Sequence, residues 1–181
     1  MNHDRGHGST TLLGSGKVLV VGGGFLGTQA SADFFTETAE VYDPVCDKWT
    51  DVDPMPDVPN EKSGRFHNAG PPGSPPGYQA RRSAHEAIAL PDGRALIVGG
   101  AGAATGNLIH NFGILPRPSC LIFDESAAPG HQWTIAGSLH TPRVMGVLAL
   151  LPDGRTIFTS GFDEAIQSSG ATEIFDITAN G

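Results

Sequence analysis

The sequence predicts an all-β fold built from a repeated unit of three or four short antiparallel strands. Three observations predict it. Short apolar runs with two-residue alternation are separated by turn residues, with no helical period between them. Gly (25) and Pro (14) make up about a fifth of the 181 residues, which implies many tight turns. The same segment also returns three times along the chain, and such self-similarity marks a repeat architecture.

The first repeat opens with "DRGHGSTTLLGSGKVLVVGGG" (4–24), the second with "ARRSAHEAIALPDGRALIVGGA" (80–101) and the third with "PRVMGVLALLPDGRTIFTSGF" (142–162). Arg5, Arg82 and Arg143 fall in one column, and Gly16, Gly93 and Gly154 in the turn column. Each hairpin ends in a small pair: Gly22-Gly23, Gly99-Gly100 and Ser160-Gly161. A third strand follows as "AEVYDP" (39–44), "CLIFDE" (120–125) and "TEIFDI" (172–177). In the first two units a tryptophan strand comes next, "KWTDVD" (48–53) and "QWTIAG" (132–137). The units are blade 1 at about 5–53, a Pro/Gly-rich insert at 54–80, blade 2 at about 82–137 and a partial blade 3 at about 143–178, in one domain. A second long excursion, "NLIHNFGILPRPS" (107–119), lies inside blade 2.

Units of this kind are the blades of a β-propeller. The di-glycine after an apolar strand, the aromatic-Asp pair of the third strand and the following Trp make the chain resemble the kelch family over nearly its whole length. The third unit departs from the pattern at Ser160 and lacks the Trp strand. The "LPDGR" turn is also similar to the propellers of galactose-oxidase-like proteins. The resemblance implies a fold, and a fold alone assigns no function.

Closed propellers have about four to eight blades, so three blades leave two terminal faces uncovered. Either the chain is a fragment of a larger galactose-oxidase-like propeller, or a two-fold homodimer completes a six-bladed ring. With a Met start and no linker at either end, it reads as a complete small protein. The formal net charge of −8 gives no basic footprint for nucleic acid. No apolar run has membrane-span length, and the polar N-terminus lacks a signal-peptide core. Two cysteines, Cys46 and Cys120, make no disulfide framework and read as free, structural thiols. The expected setting is cytoplasmic, with no membrane partner.

One feature of the second repeat is not scaffold. His85 and Glu86 interrupt an apolar first strand, where the aligned residues are Gly8 and Ser9, and Gly146 and Val147. Strand alternation puts Ser83, His85, Ala87 and Ala89 on one face and Ala84, Glu86, Ile88 and Leu90 on the other, which withdraws Glu86 from water. Two readings stand. Glu86 pairs with Arg82 or Arg143 while His85 is a satisfied core histidine, or desolvation raises the Glu86 pKa and makes it a proton donor. On the second reading Glu86, His85, Arg65 and His67 are the catalytic candidates. Arg82, His110 and Phe112 are the substrate-binding candidates. The two long excursions, which also carry Tyr78 and Arg117, are placed to border a ligand site.

No metal or cofactor is called for. No paired-cysteine zinc spacing is present, and Tyr42 and Tyr78 are too few for copper-radical ligation. The "GGGFLG" stretch (22–27) has no helix after it for a nucleotide loop, and no GxSxG elbow occurs. The first functional expectation is a small-molecule enzyme using acid–base chemistry for an imine condensation or cyclisation. In its shortness and inferred buried glutamate the chain resembles small homodimeric bacterial Pictet–Spengler enzymes acting on an aromatic amine and an aldehyde, though no motif is matched residue by residue. The alternative is a non-catalytic kelch interaction module.

Overall fold

The computed structural model describes residues 1–24, 35–59, 80–102 and 115–176. These contain strands and no helix, so the all-β expectation holds. The first sheet runs in the order β1 (Ser9–Leu12), β2 (Val18–Val21), β3 (Ala39–Asp43), β4 (Lys48–Val52). The second contains β5 (Glu86–Ala89), β6 (Ala95–Val98), β9 (Ser119–Phe123) and β10 (Trp133–Ser138), again in chain order. Between β6 and β9 a two-stranded ladder joins β7 (Ala101–Gly102) to β8 (Leu115–Pro116). The third sheet is β11 (Val147–Leu150), β12 (Thr156–Thr159) and β13 (Thr172–Phe175). All pairings are antiparallel.

Turn chemistry sets the hairpins. In β5–β6, the Asp92 carboxylate accepts the backbone N–H of Arg94 at 3.1 Å and also holds its guanidinium. Asp153 and Arg155 repeat this in β11–β12. Gly93 and Gly154 follow at φ 93° and 89°, the left-handed region that glycine enters without a Cβ penalty. These tight turns share one rim of the sheets. By the strand registers, the connections 22–38, 53–85 and 99–118 all start and end at the opposite rim.

The core lies between the sheets. Leu19 and Val21 sit opposite Val41 and Ala39 and share a face. That face packs on Ala95, Ile97, Leu121 and Phe123 of the second sheet. The other face of the second sheet, with Leu96, Val98, Cys120 and Ile122, receives Leu148, Phe158 and Phe175 of the third. Leu19, Leu96, Ile97, Leu121 and Phe123 are all 0% exposed, and each large apolar side chain so buried contributes about 1.5–3 kcal/mol. The sheets therefore stack face to face as an arc. The first strands form its inner wall, since β5 touches both β1 and β11.

The 54–80 insert begins with a packed segment: Met55 and Val58 are buried in the first core, and the Met55 N–H is anchored on the Glu37 carbonyl. Of the two free thiols only Cys120 is buried. Cys46 is exposed in the β3–β4 turn, where it hydrogen-bonds the Asp43 carboxylate. No helix among the described residues is long and apolar enough to cross a membrane.

Candidate functional site

The repeat arginines explain the frame around the site. Arg5 donates to the carbonyls of Gly22 (2.9 Å) and Thr38 (3.0 Å) and to the Glu40 carboxylate (2.6 Å). Arg143 does the same with the carbonyls of Ser160 and Ala171 and the Glu173 carboxylate. In the second sheet the carboxylate column is occupied by Leu121. Arg82 instead donates to the carbonyls of Gly99 and Ser119 and to the Ser119 hydroxyl, the last at 2.7 Å. Each arginine ties the chain entering a first strand to the small pair and to the third strand. Arg82 is fully buried in this role.

Glu40 and Glu173 are electrostatically settled. Burial pushes the Glu40 carboxyl up, but the backbone N–H groups of Asn2 and His3 and the Arg5 guanidinium outweigh it, so the net shift is below the ordinary value. Glu173 behaves alike, with the N–H groups of His140 and Thr141 and the side chains of His140 and Arg143 overcoming its burial. Glu86 differs. It is half-buried on the innermost strand, opposite Val98 on β6. Among the described residues it has no hydrogen-bond or ion-pair partner, and burial alone holds its carboxyl above the ordinary glutamate value. The pairing with Arg82 or Arg143 is therefore not formed, because both guanidinium groups are committed to carbonyls and, for Arg143, to Glu173.

His85 is not on the strand. Ala84 takes φ 52° and breaks the expected alternation, and β5 begins only at Glu86. The imidazole is turned into the junction between the first and second sheets, where Nε2 meets the Ser9 hydroxyl at 2.7 Å. Burial, and next the charge of Arg82, depress its pKa to about 3. It is neutral at physiological pH and cannot act as a cationic acid. A Cβ on Gly22 would lie 2.9 Å from the His85 ring, and one on Gly100 2.7 Å from its Cβ. The di-glycine positions are thus bare because the histidine and the neighbouring backbone fill that space.

The remaining candidates divide. Arg65, His67, His110 and Phe112, with Tyr78, lie outside the described residues. Their segments are bounded by residues at the rim where β5 starts, since Ala101–Gly102 pairs with Leu115–Pro116 there. Arg117 is buried, packed over Gly102. The cluster His3, Glu40 and Asp51 has ligand atoms within 4.8 Å of one another. Sequence reading missed it because the three residues lie on distant segments. Both Glu40 oxygens are already taken by Arg5 and two backbone N–H groups, so a cation would have to displace a guanidinium. Glu86 lines neither of two depressions formed by described residues. One of about 740 Å³ sits at the tight-turn rim by Ser15, Asp92 and Glu125, and one of about 290 Å³ lies between the second and third sheets by Cys120 and Phe158.

Residues 5–56 match the family model described as Kelch motif. The solved structure of YjhT superposes on 96% of the chain with a TM-score of 0.59 at 14% identity. The repeats form a kelch-type β-propeller fold. The first kelch unit accounts for the family match, and the structural likeness extends the fold over the other two sheets. The chain spans 42% of the length of YjhT. No curated protein is matched by the chain.

Proposed function

We propose that this kelch-type chain forms part of the wall of a small-molecule enzyme whose general acid is Glu86. The contrast among the three strand glutamates carries the reading. Glu40 and Glu173 are neutralised by repeat arginines. Glu86 stands on β5, the strand that touches both neighbouring first strands, without a partner among the described residues, and its pKa is raised by burial. A carboxyl in that setting stays protonated to higher pH than an ordinary glutamate, which suits proton donation near neutrality. The rim at which β5 begins also bounds the segments carrying Arg65, His67, His110 and Phe112, which are proposed to contact the ligand. His85 is a positioning residue in this scheme, held by Ser9 behind the strand.

The reaction proposed is an acid–base condensation of the Pictet–Spengler type. An aromatic amine and an aldehyde form an imine and release water. Glu86 protonates the imine nitrogen, the electron-rich ring carbon attacks the iminium carbon to close the ring, and the ring proton lost on rearomatisation returns to the Glu86 carboxylate. No oxidant, metal or cofactor enters the balance.

The test joins a titration to an assay. Carboxyl-carbon NMR of labelled protein, assigned with Glu86→Gln, should place the Glu86 midpoint above the ordinary 4.5. Turnover of an arylethylamine with an aldehyde should fall roughly 10²–10⁴-fold in Glu86→Gln, the usual worth of a positioned acid–base group, with the melt unchanged. An ordinary midpoint together with turnover at the uncatalysed background in both proteins removes the acid role and leaves a non-catalytic interaction module.

A further inference from the structure

Consecutive sheets are joined by a ladder of backbone bonds that repeats with the blade. The second residue of each small pair donates to the arginine carbonyl of the next blade: Gly23 N–H to Arg82 C=O at 2.9 Å, and Gly100 N–H to Arg143 C=O at 3.1 Å. Two residues after each arginine the chain takes a left-handed conformation, at His7 (φ 56°), Ala84 (φ 52°) and Met145 (φ 54°). There a second series forms around the inner wall. The Ala84 N–H donates to His7 C=O at 2.9 Å, and the Met145 N–H to Ala84 C=O at 3.1 Å. At the two ends of the arc the series stops. Among the described residues Gly161 N–H and Met145 C=O at one end, and Arg5 C=O and His7 N–H at the other, have no partner. Donor and acceptor at one end complement acceptor and donor at the other.

The side chains follow the same rule. The face of the first sheet that receives the second is Leu19, Val21, Ala39 and Val41. The aligned face of the third sheet is Ile157, Thr159, Thr172 and Ile174, and no other sheet among the described residues packs on it: Ile174 is 54% exposed and its same-face neighbour Val147 57%. In the second sheet the stacked pair Phe123–Trp133, with centroids 5.0 Å apart, is part of the surface seated on the first sheet's receiving face. The corresponding pair in the first sheet, Tyr42–Trp49 at 4.9 Å, points out of the arc with Leu12 exposed nearby.

From these we infer that the third blade's open face is covered by the first blade of a second copy of this chain, and that two such junctions close a two-fold, six-bladed ring. His7 N–H of one copy then donates to Met145 C=O of the other, and Gly161 N–H to Arg5 C=O. The junction continues an interface the chain already makes twice, and six blades fall within the range of closed propellers. Two head-to-tail junctions related by a rotation give a closed particle instead of a filament. One position departs from strict repetition. Ser160 keeps the glycine backbone (φ 63°), but its Cβ falls where Gly22 and Gly99 leave 2.5 Å and 2.8 Å to the next arginine carbonyl. The intermolecular junction is therefore looser than the two within the chain. The inference does not depend on the role of Glu86.

Sedimentation at micromolar concentration tests it. The wild-type particle should have about twice the 18.8 kDa chain mass. Because Ile174 is exposed in the single chain, Ile174→Asp should leave the fold and its melt intact yet give a monomer. Ser160→Gly should lower the dimer dissociation constant. Hydrogen exchange gives the second readout: the amides of His7 and Gly161 should be protected in the wild type and exchange freely in Ile174→Asp. A wild-type monomer at tens of micromolar overturns the inference. So does an Ile174→Asp protein that remains dimeric, which would place the contact on another surface.

Discussion

The same substitution, Glu→Gln, is expected to give opposite results at three strand positions. Glu40 is 0% exposed, and its oxygens receive Arg5 Nη2 at 2.6 Å, the Asn2 N–H at 2.5 Å and the His3 N–H at 3.2 Å. A glutamine offers one carbonyl oxygen and one NH₂ group. Whichever way the amide turns, at least one donor then faces another donor, and the Arg5 charge is left uncompensated. Removing one partner of a buried pair costs about 3–5 kcal/mol. The amide oxygen recovers part of this, so Glu40→Gln should lose about 2–4 kcal/mol. Glu173 is held in the equivalent way by Arg143 and the His140 and Thr141 N–H groups but is 17% exposed, and solvent softens the loss to about 1–3 kcal/mol. Glu86 has no partner to lose among the described residues, so Glu86→Gln should fall within about 0.5 kcal/mol of wild type or be more stable. Urea denaturation at pH 7 measures all three. With a slope of about 1–3 kcal/mol/M, the Glu40 loss moves the midpoint by about 0.7–4 M. The pH dependence carries a second sign. Glu40 and Glu173 have depressed pKa values, so their contribution is present above the ordinary 4.5 and is lost as pH falls through their folded values. Glu86 has a raised pKa, so any advantage of its Gln variant exists at neutral pH and vanishes below about 4.5. A Glu86→Gln protein as damaged as Glu40→Gln would refute the reasoning, because it would show Glu86 in an ion pair.

Three further outcomes test the frame. Gly100→Ala places a Cβ 2.7 Å from that of His85 at φ 98° and should cost about 2–4 kcal/mol by thermal melt. Gly16→Ala, at φ 85° with nothing within 4 Å, should lose only about 1 kcal/mol. For a base such as His85, a folded pKa of about 3 against an ordinary 6.5 means stability is full above pH 6.5 and falls as pH drops toward 3. The slope should reach about 1.4 kcal/mol per pH unit, and His85→Gln should flatten it in melts taken across that range.

Alignment of the repeats by itself located the three arginines, the turn glycines and the small pairs. These follow from local chemistry: Asp-Gly turns, two-residue alternation and a repeat that must stack on its own copy. The same alignment singled out Glu86, because a carboxylate there is not demanded by the repeat. What it could not supply was which partner each charge takes. Arg82 and Arg143 were plausible mates for Glu86 on the sequence. In the structure their guanidinium groups turn to the carbonyls of the third strand, since an arginine entering beside a strand end finds backbone acceptors closer than a side chain on the first strand. Alternation likewise placed His85 on the strand face, and only the left-handed turn at Ala84 moves it into the sheet junction against Ser9. Met55 and Val58 read as loop in a Pro-rich stretch, yet they fill the gap between two sheets, a volume that exists only after the sheets have stacked. Sequence thus determined the repeated units and their strands, which depend on neighbours a few residues apart. The tertiary structure decided charge pairing, burial and the unfilled bonds at the ends of the arc, because each depends on groups brought together from distant parts of the chain.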